Sequence, residues 1–134
     1  MDGGRVSRSG QGNWVRMAQI DVPAVVFRIS KYWEPGMDDA QVYDVTRGWW
    51  VMGRRREGAE YALAVTGGVV RGAYRVHAWR ERREGDRGWE EDDPANPRWG
   101  FDGEPAPELQ HLVGQDVSDR FPRGAANPVS YVNC

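Results

Sequence analysis

At 134 residues the chain can bury one core without disulfides or metals, and its single cysteine, Cys134, excludes an intramolecular disulfide and the paired Cys/His spacing of a zinc site. A net charge of −2 argues against indiscriminate coating of nucleic acid, and neither a secretory leader nor an apolar run of membrane-spanning length is visible. These features predict one cytoplasmic domain that needs no cofactor and no metal.

Residues 1–21 are rich in Gly, Ser and Arg without periodicity and read as a flexible extension, which leaves 22–134 as the single domain. The segment AVVFRIS (24–30) is β-branched and lies between Pro23 and the turn YWEPG, which predicts a central strand. From Met37 a helical pattern follows, with Asp38 or Asp39 placed as N-cap. Val42, Val45, Trp49 and Met52 form one apolar stripe, while Tyr43, Arg47, Trp50 and Arg54 fall about 100° around from it. This phase assigns Trp49 to the core and Trp50 to a ligand-facing side. Gly48 inside the pattern costs roughly 1 kcal/mol relative to Ala, so a break at RGW would divide the segment, and a different phase beyond it would exchange the two rings.

Two strands joined at TGG are predicted in YALAVTGGVVRGAYRVHAW (61–79), with Gly67 and Gly68 supplying positive φ and Gly72 marking a bulge or a close backbone approach. Residues 80–98 read as a long charged loop. RWGFDG (98–103) reads as a short strand, PAPELQHLVG as a short helix opening near Pro107 and closing at Gly114, and NPVSYVN (127–133) as a final strand. The order predicts an α+β domain with a bent mixed sheet or partly open β-barrel flanked by short helices.

Charge is divided along the chain. Residues 42–83 hold nine arginines against four acids, and residues 84–108 hold nine acids against two arginines. All basic residues but Lys31 are arginine, whose planar fork suits phosphate and aromatic faces. A GC-rich coding bias explains the same preference. Arg54, Arg55 and Arg56 span most of a helical turn, so they read either as a solvated face or as one or two phosphate contacts.

The order of VVFRIS, TRGWW with its helix, YALAV, GVVRGAYRV and RWGFDG resembles the PUA-like superfamily, and within it the EVE and YTH domains that hold a modified base in an aromatic pocket. The resemblance implies a non-enzymatic reader of DNA or RNA that takes a flipped, methylated or otherwise modified base between rings. It places one cage tryptophan on Trp49 or Trp50 and the second wall on Trp79 or Trp89. Trp33 in the turn, as core cap or pocket wall, and Tyr43 on the helix complete the candidate base pocket. Arg47, Arg54, Arg55 and Arg82, with Arg123 and Asn127 in the Gly-rich loop FPRGAANPV, are the candidate phosphate contacts.

Two other functions stay open. The ASCH group within the same superfamily includes amidohydrolases, whose chemistry would fall on Lys31 with Thr46 and an acid. The acidic loop 84–93, with Trp89 among charges, could instead contact a partner protein. Asp102, Glu104 and Glu108 are a weak metal-nuclease pattern lacking a nearby lysine, and His77 and His111 stand isolated.

Overall fold

The computed structural model describes the backbone of residues 5–8 and 14–17, and all atoms of residues 19–118 and 127–134. Near the start, β1 (Arg5–Arg8) and β2 (Trp14–Met17) pair antiparallel, so the extension contains regular structure that its composition did not suggest. The domain proper is a six-stranded mixed sheet in the order β4-β7-β6-β5-β3-β8. Its strands are β3 (Ala24–Arg28), β4 (Trp50–Val51), β5 (Tyr61–Thr66), β6 (Val69–Glu81), β7 (Arg98–Pro105) and β8 (Val129–Val132). The sheet curls into a nearly closed barrel with an unsealed seam between its end strands, β4 and β8. The α+β class and bent sheet predicted above are therefore observed.

Strand β6 makes the bend. Its first half pairs with β5 and its second half with β7, and the register slips once in each pairing, leaving Arg71 and His77 as extra residues. Bulges increase local twist and re-aim side chains, which lets one thirteen-residue strand serve two directions of the sheet. Gly67 and Gly68 take φ of +60° and +79° at the hairpin, as the turn requires.

Among the described residues the only parallel pair is β3 with β5, and β3 is buried along both faces. Alternation sends Ala24 and Val26 toward Leu63, Leu109 and Leu112 under the 3₁₀ helix Pro107–Leu112, in a cluster that also takes Ile20. Val25 and Phe27 point to a second cluster with Val42, Trp50, Met52 and Phe101 under the α-helix. No helix among the described residues is long and apolar enough to cross a membrane.

The helix α1 (Asp39–Thr46) is much shorter than the sequence pattern suggested. Asp38 caps it: its Oδ1 accepts from the Gln41 amide at 2.8 Å, and the Gln41 side-chain oxygen accepts from the Asp38 amide at 2.9 Å. After Arg47 the chain leaves the helix at Gly48, forms β4, and turns through a 3₁₀ helix, Arg54–Gly58. Trp50 thus opens a strand and Trp49 lies in irregular backbone just before it, so helical phase applies to neither.

Candidate functional site

The exchange of roles between the two tryptophans defines the site. Trp50, assigned by helical phase to the ligand side, is buried at 5% exposure, stacks on Phe27 with centroids 4.9 Å apart, and donates its indole N–H to Thr46 O at 2.8 Å. Trp49, assigned to the core, is half-buried and lines three cavities that share residues, one of which opens at the barrel seam. Helical phase failed here because the helix ends before either ring.

The largest of these three is about 680 Å³, within the roughly 300–1,000 Å³ typical of small-molecule sites. Trp49, Trp50, Val45 and Tyr32 supply its apolar surface, and Arg82, Arg87, Arg98, Asp44, Glu91 and Asp92 its charges. A second cavity of about 280 Å³ shares Tyr32, Trp49, Trp50 and Arg98 and opens along the seam between β4 and β8, where Arg28, Lys31 and Asn127 join it. Together they form a groove floored by rings and bordered by arginines, with Asp44, Glu91 and Asp92 among them in the larger cavity. Tyr32, 51% exposed, stands edge-on to Trp50 at 6.3 Å.

Each ring has a structural reason for its position. The indole of Trp49 lies against Gly100, with the Arg80 guanidinium 4.6 Å from its centroid and that of Arg82 at 5.9 Å. Arg98 donates to the Trp49 carbonyl at 3.2 Å and approaches Asp92 at 3.8 Å. Arg82 grips Asp92 through both Nε, at 2.9 Å, and Nη2. That bond raises the Arg82 pKa and lowers the Asp92 pKa, so both stay charged at neutral pH. Arg80 pairs with Asp86 at 2.8 Å in the same way, and the Asp86 pKa is lowered by that bond and by the Arg83 amide. The acidic loop is therefore folded back on the arginines beside Trp49, by pairings too distant in sequence for periodicity to register.

The remaining sequence candidates do not converge on this groove. Trp33 packs against the barrel core beneath Arg71, at 4.5 Å. Trp79 packs edge-on against Phe101 at 5.6 Å, its indole nitrogen buried without a partner. Trp89 is 37% exposed in the loop and lines no part of the groove. Tyr43 faces the opposite side, its hydroxyl accepting from the Gly103 amide at 2.9 Å.

Among the arginines, Arg82 lines the groove and Arg47 lines the smallest of the three cavities while paired with Asp102. Arg54 is exposed elsewhere, and Arg55 donates to Cys134 O from Nε at 3.0 Å and from Nη2 at 2.7 Å. Asn127 lines the seam and accepts from Arg28 through its carbonyl at 2.7 Å. Arg123 lies outside the described residues. Sequence reasoning missed Tyr32, Arg28 and Arg98, of which only Tyr32 carried a signal, as an aromatic in a turn beside Trp33.

The alternative chemistries find separated parts. Thr46 is fully buried and spends its hydroxyl on Val42 O at 2.6 Å, whereas Lys31 is exposed at the seam. Asp102, Glu104 and Glu108 are paired individually with Arg47, His77 and Arg75, and no group of three or more potential metal ligands occurs among the described residues. Comparison of the chain with protein-family models, curated proteins and solved structures finds no match.

Proposed function

We propose that the chain is a non-enzymatic nucleic-acid-binding module of PUA-like type, which takes a flipped, modified base of DNA or RNA into the groove at the barrel seam. The observation that carries this reading is the half-buried Trp49 beside Tyr32 in a cavity of about 680 Å³ bordered by Arg82, Arg87 and Arg98. A ring in a cavity wall can stack with a base of any sequence, worth roughly 1–3 kcal/mol, and guanidinium groups at the rim offset the cost of extracting it. Arg28, Lys31 and Asn127 continue the groove in a direction a phosphate backbone could follow. Trp49 takes the place that helical phase had given to Trp50.

Fluorescence anisotropy with labelled single- and double-stranded oligonucleotides, methylated and unmodified, tests the reading. Wild type binds the modified strand more tightly, and Trp49→Ala weakens that binding by roughly 5- to 150-fold, the equivalent of one lost stack. Equal, weak binding of every oligonucleotide by both proteins would overturn it.

A further inference from the structure

A separate cavity of about 280 Å³ lies between α1, the first bulge of β6, β7 and the 3₁₀ helix, and shares no lining residue with the seam groove. A cavity of about 150 Å³ lined by apolar side chains suffices for benzene, so this volume accommodates one ring with a short polar tail. Its surface is mainly apolar, formed by Tyr43, Tyr74, Ala40, Ala73, Pro105 and Val113. Two glycines line it, and neither position has room for a Cβ. A Cβ at Gly72 would stand 2.4 Å from the Tyr74 hydroxyl, and one at Gly103 would stand 2.2 Å from the Arg75 carbonyl.

Two polar groups of this cavity lack partners. Arg71 is the extra residue of the bulge, which re-aims its side chain, and its Nε is shielded from solvent without a hydrogen bond. Tyr74 is 5% exposed, and its hydroxyl makes no hydrogen bond among the described residues. Burial, reinforced by the Asp39 carboxylate, holds that hydroxyl protonated far above its ordinary range, so it remains a donor. A buried donor without an acceptor, as the Arg71 Nε is, is rare in native proteins and asks for a ligand or water. Two carboxylates also line the cavity, Asp39, exposed and with no ion-pair partner among the described residues, and Glu104, 3.4 Å from His77.

We infer that this cavity binds a free amino acid with an aromatic or large aliphatic side chain. The apolar walls take the side chain, Arg71 and Tyr74 donate to the α-carboxylate, and Asp39 and Glu104 face the α-ammonium. A plain carboxylate would meet the two acids unopposed, and a plain amine would leave the donors of Arg71 and Tyr74 unsatisfied.

Isothermal titration of the full chain with L-phenylalanine, phenylacetate and phenethylamine tests the inference. Phenylalanine binds saturably and more tightly than either analogue, and Arg71→Gln weakens it roughly tenfold or more, the loss expected for a charge-assisted bond. Ala40→Phe, at an exposed helix position on the cavity wall, blocks it without touching the core. Melting curves check that both variants fold, and the three-ligand comparison on wild type stands independently of them. Absence of phenylalanine binding at millimolar concentration, an analogue binding as tightly as phenylalanine, or binding unchanged in both folded variants would each overturn the inference.

Discussion

Trp49 rests on Gly100: a Cβ at position 100 would stand 2.9 Å from indole Cζ3 and 2.6 Å from the Arg47 carbonyl oxygen. The glycine is therefore the seat of the ring that faces the groove. Because one of the two clashing atoms is backbone, Gly100→Ala cannot be absorbed by a side-chain rotation. It lowers stability by roughly 1–3 kcal/mol, as overpacking does, and displaces Trp49. Urea denaturation measures the first effect, and the second appears as a changed near-UV circular dichroism spectrum.

The adjacent tryptophans respond oppositely to truncation. Trp50→Ala removes a buried ring, its stack on Phe27 and its bond to Thr46 O, and costs roughly 3–5 kcal/mol. Trp49→Ala removes a half-buried ring and costs less than half as much, while it weakens the oligonucleotide binding proposed for the groove. Paired denaturation curves and binding titrations distinguish this arrangement from its mirror, in which Trp50 would be the ligand ring.

What was legible in the sequence was local. The Asp38 cap, the Gly67–Gly68 hairpin, the β-branched run of β3 and the bulge by Gly72 each follow from a few neighbouring residues, and each is present. The assignment of Trp49 and Trp50 needed the end of α1, and the apolar stripe ran on past it by coincidence. Gly48 was the signal that it could stop. Beyond it the chain is no longer α-helical, so the 3.6-residue phase says nothing about which of the two adjacent rings turns inward. The groove was not legible, because Arg98 reaches Trp49 across 49 residues and the seam joins strands at opposite ends of the sheet order.

The Arg82–Asp92 pair makes the acidic loop sensitive to acid. The folded-state pKa of Asp92 lies below its unfolded value, chiefly through the Arg82 hydrogen bond. Its contribution to holding the loop is accordingly complete above the ordinary carboxylate pKa of about 4, and is lost as pH falls through the lowered folded value. Asp86, lowered by Arg80, acts in the same direction. Carboxyl-detected NMR titration finds both groups titrating below the ordinary carboxylate value, and loop proteolysis at acid pH rises in step with their protonation. Asp92→Asn removes the Asp92 component of this dependence.

Arg55 and Arg98 separate stability from the proposed binding. Arg55 fastens the seam from outside the groove, donating twice to Cys134 O and lying 4.8 Å over Tyr131, whose hydroxyl accepts from the Gly53 amide at 3.2 Å. Arg55→Gln lowers stability by about 1 kcal/mol or less, speeds hydrogen exchange in β4 and β8, and leaves oligonucleotide affinity unchanged. Arg98 lines both groove cavities, so Arg98→Gln weakens oligonucleotide binding and reduces its salt dependence by about one counterion. Binding measured at several salt concentrations, alongside exchange rates for the two variants, checks both halves. An affinity loss confined to Arg55→Gln would place the phosphate track on the outside of the seam instead.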